Sequence, residues 1–491
     1  MMWFEWSPEA FDRAKAENKP VLLSLVTAWS DECAAMDRLT YAHPDVLSLI
    51  DARFVPVRVD ADQRPDVNDR YNLGGWPTTA FLTSSGEILS GGTYLSPEQM
   101  IATLPQVADA YRTRASEIEA RTARLHADRA AVAAHEDVVE AGLRAGIALD
   151  RSAIDHLRSL LIGQFDREHG GFGSAPKLPH PYPLLLALSL TRESGDAELS
   201  EIVDVTLDRM GALWDPADGG FYRYADGEDW SGAGTEKTLE DNAALLHVYV
   251  EAALSGRSGC RDRAADIVRW VRSAMSDEGR GGFYNAQTRT TVDKTMYVDR
   301  NAMMVGAFIR AAALFDDIWL RDFALKTLET VVVPLYKPGD GIGHAPPMGA
   351  ALPVRGLLTD QIHVASALIW AHAATGQLPY SMLAAELVQF AVRQMWNEAT
   401  GNFRDRADAD DPVIPFDLNC HAACVLDRLA ILTGDHDHHD RARRILRSLT
   451  AEYRERDLFG APFALAVREV VERHPPAGLE LTAVDWGLRK E

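Results

Sequence analysis

A polar residue recurs along this chain at intervals of 59, 60 and 58 positions: Asn242, Asn301, Gln361 and Asn419. Each heads an apolar run, such as AALLHVYVEAAL (243–254) and VASALIWAHAA (364–374). Self-similarity at a fixed period marks an array of supersecondary units that bury their apolar faces on one another. A second series keeps step with the first. It comprises the turns Gly170-Gly171-Phe172, Gly219-Gly220-Phe221, Gly281-Gly282-Phe283, Gly341-Ile342-Gly343 and Gly401-Asn402-Phe403. One unit is therefore two helices of roughly 15 residues plus connections.

Six helices near 181, 241, 300, 360, 417 and 460 are apolar nearly all round, as helices buried on both sides must be. Six more, starting near 152, 198, 260, 318, 380 and 437, are amphipathic, for example RDFALKTLETVVV. Twelve helices alternating in this way predict an all-α six-hairpin (α/α)6 toroid over 146–491, with an open superhelical array as the alternative. Links after the apolar helices are short, and links before them are long and carry the glycine turns. All six inner helices then begin on one rim, where free N–H groups and positive dipole ends suit anionic or hydroxyl-rich ligands.

That rim collects the residues that could do chemistry. Asp241, Asp360, His363, His421 and Glu236 are the expected catalytic groups; Lys177, Lys237, Asn242, Asn301, Asn419 and Asp417 are the expected substrate contacts. Carboxylates and imidazoles converging on one funnel are equipment for general acid–base work on a polyhydroxylated substrate. An Asp or Asn before a helix is equally an N-cap, so each has a purely structural alternative. Cys420 and Cys424 are one helical turn apart and read as core, because a structural zinc needs four ligands. No phosphate loop, dinucleotide fingerprint, nucleophile elbow or zinc signature is present, so no cofactor and no metal are expected.

The first hundred residues read differently. Ser7-Pro8-Glu9 opens a helix, VLLSLVT (21–27) is a short buried strand, and two helices follow. VPVRVDA (55–61) alternates as a strand, TTAFLT and EILSGG form a hairpin, and a closing helix follows 95–97. This order predicts an α/β thioredoxin-like domain over 1–111, joined by an Ala/Glu/Arg-rich helical connector over 112–145.

Asn18-Lys19-Pro20-Val21, Val59-Asp60-Ala61-Asp62 and Gly74-Gly75-Trp76-Pro77-Thr78 resemble the thioredoxin domain of the spermatogenesis-associated protein 20 (YyaL-like) family. Phe172-Gly173-Ser174-Ala175-Pro176-Lys177 and Glu236-Lys237-Thr238-Leu239-Glu240-Asp241-Asn242 are similar to that family's toroid. The resemblance implies a toroid like those of six-hairpin glycosidases and N-acylglucosamine 2-epimerases, and a cis peptide before Pro77. It also implies a Cys-x-x-Cys-His motif, from which this chain departs. Ser30 stands at the first cysteine, Cys33 at the second and Ala34 at the histidine, and Gly234 replaces a usual histidine before Glu236. A serine cannot attack a disulfide, so dithiol exchange is expected to be absent.

The formal charge of −22 disfavours nucleic acid and anionic lipid as partners. Four scattered cysteines give no disulfide scaffold, the N-terminal stretch does not read as a signal peptide, and no run of about 18 apolar residues occurs; a cytoplasmic location is expected. The expected function is carbohydrate-active: an isomerase, epimerase or glycosidase acting on a sugar-like small molecule, with the thioredoxin-like domain serving as structure or as a dock for a protein partner. The alternatives are a non-catalytic ligand- or partner-binding protein and a monothiol redox protein acting through Cys33.

Overall fold

The computed structural model describes residues 2–114, 117, 118, 120, 124, 149–347, 354–408 and 413–482. The chain divides into two compact units, Met1–Val139 and Glu140–Glu491. Most of the helical connector expected over 112–145 lies outside the described residues.

In the first unit, α1 (Pro8–Glu17) begins at a proline and ends at Asn18 in the left-handed region, φ 50°. There follow β1 (Val21–Val26), α2 (Asp31–Met36), α3 (Pro44–Arg53), β2 (Val55–Asp60), α4 (Pro65–Tyr71), β3 (Thr78–Leu82), β4 (Ile88–Gly92) and α5 (97–114). The sheet order is β2-β1-β3-β4, with β1 parallel to β2 and antiparallel to β3. β1 is central and buried along its whole length, which explains its unbroken apolar run. Val21, Leu23 and Leu25 face a core with Ala10, Ala14, Val57 and Val59, whereas Leu22 faces Met36, Ile50 and Leu104 on the other side. The Trp76–Pro77 peptide is cis.

In the second unit, helices come in pairs: α6 (Ser152–Gly163) and α7 (Pro181–Ser194), α8 (Ala197–Arg209) and α9 (Leu239–Leu254), α10 (Cys260–Ala274) and α11 (Val298–Phe315). Then come α12 (Ile318–Thr327) and α13 (Leu358–Thr375), α14 (Leu378–Met395) and α15 (Phe416–Thr433), α16 (His436–Ser448) and α17 (Ala461–Val470). The inner helices pack in sequence from α7 through α9, α11, α13 and α15 to α17, which packs back on α7. The ring is closed, so the toroid holds and the open array does not. No helix among the described residues is long and apolar enough to cross a membrane.

The repeat has one physical cause. Asn242, Asn301, Gln361 and Asn419 are each the fourth residue of an inner helix and fully buried. Asn301 Oδ1 accepts from the Phe283 N–H at 2.7 Å, while its Nδ2 donates to the carbonyls of Phe283 (3.0 Å) and Tyr297 (2.9 Å). Asn242 does the same with Phe221 and Thr238, Asn419 with Phe403 and Pro415, and Gln361 with Ile342 and Leu357. Each amide clips the long loop to its helix and satisfies buried backbone groups that water cannot reach. The turn itself needs glycine: Gly220 has φ 76°, and a Cβ there would meet the Trp270 ring at 2.5 Å.

Candidate functional site

The ring encloses a cavity of about 230 Å3, lined from all six inner helices. Counted from the buried amides, the lining falls into three layers. Two residues on stand Ala244, Met303, His363 and His421; five residues on, His247, Gly306, Ser366 and Cys424; nine residues on, Glu251, Arg310, Trp370 and Arg428. Steps of three and four residues keep one helical face turned inward, so the frame follows from the 3.6-residue turn.

His363 and His421 face each other at the upper level, ring centroids 4.8 Å apart and 70° between planes. Burial pushes both imidazoles down from the usual value, opposed for His363 by the Asp299 carboxylate and reinforced for His421 by His363 and the arginines below. Both are neutral at pH 7 and able to accept a proton. Burial and Arg310 carry His247 down to about 4. Asp417 lies at the mouth, its carboxyl pushed up to about 6 by burial against the pull of Arg456.

The deepest layer is charged. Arg192 meets Glu251 at 3.0 Å, Arg428 forks onto Glu469 at 2.6 and 2.9 Å, and Arg468 meets Glu193 at 2.6 Å. Arg310 stacks over Trp370, 4.1 Å from the ring centroid.

Of the sequence-predicted residues, the structure brings His363, His421 and Asp417 to this cavity. The others lie elsewhere, and each has a structural task. Lys177 is wholly buried and donates to Asp166 (2.5 Å) and the Gly173 carbonyl (3.0 Å). Lys237 repeats the device with Asp215 (2.7 Å) and the Gly219 carbonyl (2.9 Å). Burial works against the Asp166 carboxylate, yet Lys177 and two backbone N–H groups bring it down to about 2. Asn242, Asn301 and Asn419 clip loops and have no surface to offer a substrate. Asp241 sits in a capping box: its carboxylate accepts from Thr238 Oγ1 (2.5 Å) and Arg223 (3.0 Å), while its N–H donates to Thr238 Oγ1. Glu236 is buried beside Lys237, away from the cavity lining. Asp360 is fully buried and accepts from or donates to His344 Nδ1 at 2.7 Å; burial, against that histidine, holds it at about 6.

Two groups among the described residues gather three metal-type ligand atoms within 4.8 Å: Asp299, His344 and Asp360, and Glu193, Glu472 and His474. In the first His344 already bridges to a carboxylate, and in the second Arg151 and Arg468 neutralise the acids.

In the first unit, Ser30 caps α2, its Oγ accepting from the Cys33 N–H at 3.3 Å. Cys33 is 3% exposed, and burial raises its thiol above the ordinary value despite hydrogen bonds from Thr27 and Ser30.

The chain's relatives agree with this architecture. Residues 1–129 match a thioredoxin family of the DsbH type, described as "Protein of unknown function, DUF255". Residues 219–417 match the N-acylglucosamine 2-epimerase family. Mouse spermatogenesis-associated protein 20 is 29% identical over 306 residues, covering 58% of this chain and 38% of the mouse protein. The chain thus spans under two fifths of the length of that relative. Among solved structures, cellobiose 2-epimerase from Spirochaeta thermophila superposes with TM-score 0.57 at 16% identity, covering 68% of this chain and 96% of the epimerase. A glycoside hydrolase family 76 mannosidase from Bacteroides thetaiotaomicron gives 0.53 at 13%, covering 65% and 98%. At such identities these two neighbours speak for the fold alone. The chain is thus similar to spermatogenesis-associated protein 20, with a DsbH-type thioredoxin match over 1–129 followed by an N-acylglucosamine 2-epimerase match over 219–417.

Proposed function

We propose that the ring cavity binds a small polyhydroxylated molecule and moves a proton on it, as a sugar epimerase or isomerase does. The observation that carries this reading is the pair of neutral imidazoles, His363 and His421, 4.8 Å apart in one cavity. One neutral imidazole removes a proton from a carbon beside a carbonyl, and the imidazolium so formed returns a proton, directly or after passing it to the adjacent ring, to the same carbon or to the neighbouring atom. Glycoside hydrolysis needs two carboxyl groups flanking the bond, about 5–5.5 Å or about 6.5–9.5 Å apart. The described lining has three carboxylates; arginines hold Glu251 and Glu469, which leaves Asp417 by itself. A volume of about 230 Å3 suits a monosaccharide better than a chain of sugars. Screening a panel of aldoses and ketoses for interconversion tests the proposal. His363→Asn and His421→Asn should each lower kcat by about 10²–10⁴-fold with little change in melting temperature. Turnover that survives both substitutions would reject the pair.

The thioredoxin-like unit is proposed as a dock rather than a redox catalyst. Its support is the serine at the attacking position and the enclosure of Cys33. Insulin reduction by the whole chain should be undetectable; measurable dithiol turnover would refute this.

A further inference from the structure

Arg310 is the exception among the cavity's arginines. Arg192, Arg428 and Arg468 each have a carboxylate within 3.0 Å, whereas Arg310 makes no ion pair and no hydrogen bond with the described protein. Its Nε is buried without a hydrogen-bond partner, and its guanidinium lies over the face of Trp370. The indole Nε1 of Trp370, a residue 3% exposed, is a second buried donor without an acceptor. Buried donors are almost always satisfied; two orphaned donors side by side on a cavity wall, one of them on a half-buried cation, call for an acceptor with negative charge.

The groups around Arg310 do not supply that acceptor. Of the nearest acids, Glu469 is forked by Arg428 and Glu251 is held by Arg192 through Oε2; Oε1 of Glu251 has no hydrogen-bond partner but makes no ion pair with Arg310. The imidazoles above, His247, His363 and His421, are held neutral and bring no negative charge. Arg310 is half-buried with its Nε closed off from water, and burial carries its guanidinium down to about 9. Its Cα lies seven residues below Met303, the α11 counterpart of His363 in the repeat, which is about 10 Å along the axis. An arginine side chain tilts back toward the helix N-terminus, which shortens that gap.

We infer that the cavity is built for an anionic monosaccharide, whose carboxylate or phosphate oxygens accept from Arg310 and Trp370 while its other end lies against the His363–His421 pair. This inference rests on the proton-transfer reading above and names the substrate class for it. A guanidinium fork suits either oxyanion, so sugar acids and sugar phosphates share the chemistry.

Calorimetric titration of the whole chain tests the inference with four probes: glucuronate, glucose 6-phosphate, glucose and inorganic phosphate. At least one anionic sugar should bind tenfold or more tightly than glucose. Arg310→Met should abolish that preference, and Arg310→Lys, which keeps the charge without the fork, should retain part of it. Binding by glucuronate alone assigns a carboxylate; binding by glucose 6-phosphate alone assigns a phosphate. Glucose binding as tightly as both anions, or an undiminished preference in Arg310→Met, would overturn the anionic class and leave the polyhydroxylated reading standing. Arg310-dependent phosphate binding with no sugar bound would keep the anion site and overturn the sugar. Silence from all four probes would overturn both.

Discussion

At the residue scale, the four repeated amides hold the most leverage per atom. Asn301→Ala removes one acceptor and two donors that fasten the Phe283 turn to α11, and leaves buried backbone groups unpaired. An unsatisfied buried group costs about 1–3 kcal/mol, so the variant should lose about 2–4 kcal/mol by denaturant melts. Ligand affinity of the folded fraction should stay unchanged; a selective loss of binding with full stability would return Asn301 to the site. The same residues show where sequence reading stops. Their spacing was plain, but an Asn at a helix start can face a loop or a ligand, and only burial tells which. Lys177 and Lys237 were misplaced for a like reason. A lysine beside a glycine turn looks exposed, yet here each is sealed under the turn by Asp166 or Asp215.

At the scale of the element, each inner helix presents one inward stripe, and its register is set by the buried amide. This frame could have been read from the sequence: two, five and nine positions after each amide give twelve of the cavity-lining residues of α9, α11, α13 and α15. Attention to the helix starts found His363 and His421 but missed His247, Arg310 and Arg428, because these sit two or three turns inside runs that look apolar all round. The helices themselves were legible because length, apolar periodicity and glycine stops agreed. Short α4 was not, having a proline start and too few residues for a period. The frame also identifies Gly306 as a residue kept small for the cavity. A Cβ there would meet Trp370 Cδ1 at 3.9 Å, an ordinary contact, in the middle of α11. Gly306→Ala should therefore stabilise the protein by about 0.4–1 kcal/mol through helix propensity and unfolded-chain entropy. The same methyl group should weaken ligand binding in titrations. A variant that is destabilised, or that binds better, would contradict the assignment of that space to a ligand.

At the scale of the molecule, a closed ring converts six weakly polar helix faces into one enclosed volume, where desolvation rather than nearby charge keeps the histidines neutral. The fold class and the resemblance to spermatogenesis-associated protein 20 followed from local motifs; the chemistry depends on which faces the ring turns inward. The most direct measurement is solvent-deuterium incorporation, followed by NMR, into aldoses and ketoses incubated with the whole chain across a pH series. Two-imidazole proton transfer predicts deuterium at the carbon beside the carbonyl, lost in His363→Asn and in His421→Asn. The accepting imidazole must be unprotonated, and burial lowers its protonation pH, so exchange should persist at pH 7 and fall only below the usual imidazole value of about 6.5. Glycosidic cleavage with no deuterium uptake, or uptake undiminished in both variants, would contradict the account.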